Sequence, residues 1–200
     1  RIQELKVAAE LGVSRGSVRE ALLILQRRHL IEIIPRRGAV VSRLEAQEIT
    51  NFCELFTDLQ VSFFSKLAGV RNLDPQPFKN AIDQMAEALA QNDSAGLLAG
   101  KGAFLQAGFA GLENFYLCSV LAGLIPAGQR LAYQVSAHSA FEPRDTLRYH
   151  QALLDAMLGG DADRVEELVR AFNGREQKLA TGCSQRAPVA ATARLAAGHS

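Results

Sequence analysis

All the strand signal in this 200-residue chain lies between Leu30 and Ser42. Leu30-Ile31-Glu32-Ile33-Ile34 and Ala39-Val40-Val41-Ser42 are short apolar runs flanking Pro35-Arg36-Arg37-Gly38, a turn sequence with a basic tip that Gly38 lets turn tightly. Two strands of a β-hairpin are expected there. From Leu44 onward the apolar residues recur at helical spacing, broken by Pro, Gly and Asp. The fold class expected is therefore mainly α: a small N-terminal head over residues 1–43, an all-α bundle over 44–181, and an Ala-rich tail over 182–200 without a large apolar face, expected to be poorly ordered.

Ahead of the hairpin, Ile2, Leu5, Ala8 or Ala9 and Leu11 stand at helical spacing and stop at Gly12, a residue suited to a left-handed cap. Ser14 offers an N-cap, and Ser17 with Glu20 offers a second capping box, for a following helix with Val18, Ala21, Leu22 and Leu25 inward and Arg15, Arg19 and Gln26 outward. In the bundle, helices are expected at about 45–69, 76–92, 96–123, 127–138, 143–159 and 161–180. Asp74, Pro77 and Asp161 mark starts. The third of these helices is the weakest, because Gly96, Gly100, Gly102, Gly108 and Gly111 each cost about 1 kcal/mol relative to Ala; a break or local mobility is expected within it.

The formal charge of +1 hides an uneven distribution. Residues 1–43 carry nine Lys/Arg against four Asp/Glu, while the remainder carries thirteen against seventeen, so the two parts face different partners. The basic part contains no Phe, Trp or Tyr, which disfavours single-strand binding by base stacking and favours a duplex read by helices and a turn. Cys53, Cys118 and Cys183 are odd in number and far apart, pointing to reduced thiols rather than to disulfides or a zinc finger. No uninterrupted apolar run reaches the roughly 18 residues of a membrane span, and no signal core follows the start, so a cytoplasmic location is expected.

Two short helices joined at Gly12-Val13 have helix-turn-helix geometry. The second helix would enter the major groove N-terminus first. That places Ser14, Arg15, Gly16, Ser17 and Arg19 nearest base edges and phosphates, with Arg36, Arg37 and Gly38 forming a second contact at the hairpin tip. For the arginines the competing reading is a solvated surface.

The run LKVAAELGVSRGSVREALLILQRRHLIEIIPRRGAVVSRL closely resembles the winged helix-turn-helix of the GntR family of bacterial transcription regulators. The helical remainder, with HQALLDAMLGGDADRVEELVRAF at 150–172, is similar to the effector-binding domain of its FadR subfamily. The resemblance implies a homodimer, a repressor in the first instance, that binds a roughly palindromic double-stranded DNA operator and responds to a small-molecule effector, often a carboxylic acid. It also implies a further helix before the position of Arg1, so the head is expected to be truncated at its start and to bind DNA less well than a complete one.

Many members of that subfamily hold a divalent metal through an Asp and a His one helical turn apart plus two later His residues. The corresponding positions here are Lys101, Leu105, His150 and Phe172, of which His150 alone is a ligand type. No metal or other cofactor is expected. These four are instead the expected effector pocket, with Lys101 supplying a fixed positive charge for a small organic acid with an apolar body. Lys101 shares a stripe with Phe104, Leu105, Gly108 and Leu112; the alternative is that it snorkels to water. Arg144, Arg148 and Tyr149 are polar candidates that pattern alone does not place. A regulator with a decayed pocket, an all-helical enzyme, and a protein-interaction module built on the bundle are the competing functions. The four histidines show no HExxH spacing and no triad order, and no phosphate-binding Gly loop occurs, so no enzyme is expected.

Overall fold

The computed structural model describes residues 1–28, 30–35, 38–42, 45–136 and 138–186, the last four by backbone alone. The head begins with α1, Glu4–Leu11, and α2, Arg15–Arg27. Gly12 ends α1 with φ 64° and gives its N–H to the Ala8 carbonyl, a left-handed cap that L side chains adopt at a cost. Ser14 then starts α2, its Oγ accepting from the Ser17 N–H at 3.1 Å. The hairpin is β1, Ile31–Ile34, antiparallel to β2, Gly38–Val41, with Ile31 opposite Val41 and Ile34 opposite Gly38. Ala8, Val18, Leu22, Ile31 and Ala39 form the head's core.

Four local expectations change. Ile2 is not helical: its N–H bonds the Ala39 carbonyl at 2.7 Å, so the chain start bridges to the wing instead of opening α1. Released from that register, α1 turns Val7 and Ala8 inward and leaves Leu5 and Leu11 61% and 68% exposed. On α2, Val18, Leu22 and Leu25 pack inward as the spacing predicts, but Ala21 is exposed. The Ser17–Glu20 capping box is not used, because Ser14 already holds the helix start and Ser17 is its partner.

The bundle consists of α3 (Ala46–Ala68), α4 (Gln76–Ala90), α5 (Ser94–Gly111), α6 (Phe115–Ser136), α7 (Pro143–Leu158) and α8 (Ala162–Arg186). Their starts are fixed locally. Glu45 and Glu48 form a reciprocal capping box, and Asp93 Oδ1 and Asp161 Oδ1 accept from the backbone N–H groups of Ala95 and Arg164. Residues expected as one helix over 96–123 and another over 127–138 divide elsewhere. The chain leaves helical geometry at Leu112, and the Asn114 side chain caps a new helix by accepting from the Leu117 N–H, so the break falls just after the glycine-rich stretch. That new helix, α6, then runs through Pro126. Helix α8 extends to Arg186, so residues 182–186 of the expected tail are helical, and residues 187–200 lie outside the described residues.

Helices α3 and α8 pack along one another, α4 and α5 form a second close pair, and Phe63, Leu67, Met85, Phe104, Leu153 and Val169 fill the space between. By length and composition alone α6 could cross a membrane. It nevertheless packs through Leu121, Leu131 and Val135 and uses its remaining inner positions as a cavity wall.

The glycines that weaken α5 as an isolated helix are what let it dock. A Cβ on Gly108 would stand 2.7 Å from the Phe63 ring and 3.0 Å from Leu67, and one on Gly100 would meet Met85 at 2.5 Å. Gly108→Ala is therefore expected to destabilise the protein by about 1–3 kcal/mol in spite of the gain in helix propensity. Gly174→Ala in α8, where nothing lies within 4 Å, is expected to stabilise by up to about 1 kcal/mol. Urea unfolding of both variants checks the opposite signs.

Candidate functional site

Ser14, Arg15, Gly16, Ser17 and Arg19 are all exposed around the N-terminus of α2. The two serines are occupied in holding that terminus, with hydroxyls 2.9 Å apart. A Cβ on Gly16 would meet only Ser14 Oγ, at 3.6 Å, so the position has room for a side chain. Arg19 is less free than its spacing suggests: its Nε–H donates to Glu4 Oε2 at 2.9 Å across the α1–α2 interface. This orients the guanidinium and leaves its Nη groups for another acceptor. Gly38 stands at φ 79° beside the hairpin tip, whereas Arg36 and Arg37 lie outside the described residues.

The four positions expected in the bundle converge. Lys101 and Leu105 of α5, His150 of α7 and Phe172 of α8 line one cavity of about 420 Å³, to which α3 and α6 also contribute wall residues. That volume suits a small metabolite. Lys101 neither snorkels to water nor stands free. Its ammonium pairs with Glu176 Oε1 at 2.6 Å, the two side chains being only 17% and 21% exposed, and lies 5.2 Å from the centre of the Phe172 ring. Phe172 stacks on Tyr149 with ring centres 4.0 Å apart and planes 4° from parallel. Of the unplaced candidates, Tyr149 thus joins the cavity wall. Arg144 and Arg148 are exposed, with Arg148 paired to Asp145.

Glu176 is the residue that sequence reasoning missed. It lies one turn beyond Phe172 on α8, so the i, i+4 rule applied to Phe172 marks it as sharing that face. Gln60 and Asn173, joined by a 2.7 Å hydrogen bond, also line the cavity and were signalled by no motif.

His150 is buried, with Phe104 and Tyr149 edge-on at 4.8 Å. Its Nδ1 lies 2.7 Å from the Thr146 carbonyl oxygen. Since a carbonyl only accepts, Nδ1 carries the proton and Nε2 keeps a lone pair. Burial lowers its pKa to about 3, against the opposing pull of the Thr146 bond and with help from the Lys101 charge. Burial, and more weakly Glu176, push the Tyr149 hydroxyl far above its ordinary value, so it stays protonated.

The fit of these residues to a divalent metal is poor. Of the four positions only His150 offers a donor, Lys101 brings a positive charge, and Glu176 is already engaged by it. Among the described residues no three His, Cys, Asp or Glu side chains converge on a point suited to a metal.

The head is tied to the wall of this cavity. Arg130 of α6 donates from Nη1 to Ser42 Oγ at 2.7 Å and from Nη2 to the Ser42 carbonyl. Gln129 and Ala132, its neighbours on the helix, line the cavity.

With a folded-state pKa near 3 and an unfolded value near 6.5, His150 favours the folded state fully above about pH 6.5, and this contribution is lost as the pH falls toward 3. Between pH 7 and pH 4.5 the wild type is expected to lose about 1–3 kcal/mol more stability than His150→Leu. Paired urea titrations measure the difference.

Comparison with known proteins matches two family models: bacterial regulatory proteins of the gntR family over residues 1–41, and the FCD domain over residues 70–174. An uncharacterised HTH-type transcriptional regulator in the TAR-I ttuE-ttuC′ intergenic region of Agrobacterium vitis is 31% identical over 97 residues, 46% of this chain and 57% of that protein. A second HTH-type regulator, from an unstable DNA locus of Streptomyces ambofaciens, is 36% identical over 50 residues, 25% of this chain and 21% of its own length. The chain thus spans little more than half of the first relative and about a fifth of the second. Among solved structures, a candidate GntR regulator from Rhodococcus sp. RHA1 superposes with a TM-score of 0.75 at 21% identity, covering 91% of this chain and 87% of that one. Escherichia coli McbR/YncC does so with a TM-score of 0.75 at 20% identity, covering 90% and 86%. These two share the fold. With a winged head under one family model and a cavity-bearing bundle under the other, the chain belongs to the GntR family of bacterial regulatory proteins and carries an FCD domain.

Proposed function

We propose that this protein is a ligand-responsive transcription regulator: a homodimer that binds a roughly palindromic duplex through its winged heads and adjusts that affinity when a small molecule fills the bundle cavity. The observation that carries the reading is the pairing, in one chain, of an exposed, arginine-bearing helix N-terminus with a cavity between the bundle helices whose wall is bonded to the head at Ser42. Arg15 is the proposed base-reading residue. Arg19, steered by Glu4, and the tip residues Arg36 and Arg37 are proposed phosphate contacts. The expected sense is repression by occupancy of the operator, in the cytoplasm where the chromosome lies, and no catalytic role is assigned.

Dimerisation is proposed through α6. Its outer face presents Phe115 and Tyr116, 78% and 81% exposed, together with Val120, and the helix carries no charge from Phe115 to Gln129. A second copy of the same face would remove this surface from water. The effector is proposed to be a small organic acid with an apolar body, held without a metal by Lys101 among aromatic side chains.

In fluorescence anisotropy, full-length protein is expected to bind its operator with two chains per duplex and to lose affinity steeply with salt. Arg15→Ala is expected to cost about 1–3 kcal/mol and to relax specificity at one base pair. Equal affinity of the wild type for operator and scrambled DNA would refute specific readout. Elemental analysis of protein purified without chelator is expected to find far less than one zinc, manganese or nickel per chain; a stoichiometric metal would refute the metal-free site.

A further inference from the structure

The polar groups of the cavity do not match a bare acid. Among the described residues Lys101 is the only Lys or Arg along its lining, and its ammonium already faces Glu176 at 2.6 Å across the α5–α8 interface. A carboxylate docked on Lys101 alone would come to rest beside that of Glu176, in a partly buried site where like charges repel more strongly than in water. His150 adds to the imbalance. Its Nδ1 proton is committed to the Thr146 carbonyl, so this wall presents the cavity with an acceptor, not a donor. Among its ionisable side chains the cavity therefore pairs one cationic donor, Lys101, with two acceptors, Glu176 and the His150 imidazole. A ligand that satisfies all three has to bring positively charged N–H donors as well as a carboxylate. Beyond these groups the walls carry the neutral polar side chains of Gln60, Gln129 and Asn173 and are otherwise mostly apolar, including Phe56, Phe64, Phe104 and Ile125.

Resting on the reading of this cavity as the effector site, we propose that its ligand is an amphoteric α-amino acid with an aromatic-sized apolar side chain. Its carboxylate lies on Lys101, its ammonium on Glu176 and the His150 imidazole, and its side chain against the phenylalanines. The four charges then alternate in sign around the headgroup, and the resident ion pair is shared rather than broken. The neutral His150 keeps its lone pair throughout the physiological range. The Tyr149 hydroxyl, also protonated there, supplies a group able to donate or accept.

Isothermal titration of the full-length protein with L-phenylalanine, 3-phenylpropanoate and 2-phenylethylamine separates the requirements, since the last two each lack one charged group of the first. L-Phenylalanine is expected to bind at least tenfold more tightly than either. Glu176→Gln is expected to weaken L-phenylalanine at least tenfold while strengthening 3-phenylpropanoate, an inversion that a misfolded variant cannot produce. Lys101→Met is expected to weaken both carboxylates and to leave 2-phenylethylamine bound no less tightly. If 3-phenylpropanoate binds the wild type as well as L-phenylalanine does and Glu176→Gln leaves the order unchanged, the amphoteric ligand is overturned although the cavity remains a ligand site. If none of the three binds, the proposal is likewise overturned. Binding of L-phenylalanine with no change in operator affinity would support the ligand class and overturn the effector reading on which it rests.

Discussion

Helix α5 reaches the middle of the bundle because it presents glycine where its neighbours present large side chains. Phe63 of α3 and Met85 of α4 occupy the space that Cβ atoms on Gly108 and Gly100 would take. The cavity wall contributed by α5 depends on that approach, because Lys101, Phe104 and Leu105, next to or one turn from Gly100, line the cavity while Phe104 and Leu105 also belong to the core. The same residues that lower the intrinsic helicity of α5 thus set the distance at which Lys101 meets Glu176.

This divided role explains what could be read from the chain without coordinates. The two-part organisation, the caps at Ser14 and Asp161, and the hairpin between Ile31 and Val41 rest on local rules of spacing and turn chemistry, and the structure follows them. The α5–α6 boundary does not rest on local rules alone. The glycines argue for a weak helix and Pro126 for a boundary, yet packing holds the former together and the latter lies within α6. Ile2 illustrates the same limit, since its helical spacing loses to a backbone bond that its N–H donates to the carbonyl of Ala39, a residue far along the chain.

The cavity was legible in part. Lys101, Leu105, His150 and Phe172 come together from three helices as the family resemblance implies. Glu176 was not foreseen because nothing in the sequence ties it to Lys101, 75 residues earlier. Its presence changes the chemistry of the site: an ammonium matched by a carboxylate within hydrogen-bonding reach leaves no net charge where a metal would have brought two positive ones. Recognition in such a site turns on the arrangement of donors and acceptors more than on charge.

The bond from Arg130 to Ser42 joins two surfaces that would otherwise respond separately. Burial lowers the pKa of this guanidinium, and Glu48 opposes the shift, so the contact is made from a partly desolvated position. Gln129 and Ala132 flank Arg130 on α6, which makes the cavity wall and the anchor of the wing parts of one stiff rod little more than a turn long. A filled cavity that tilts this rod moves the anchor by a similar amount, and the last residue of the wing has to follow or let go.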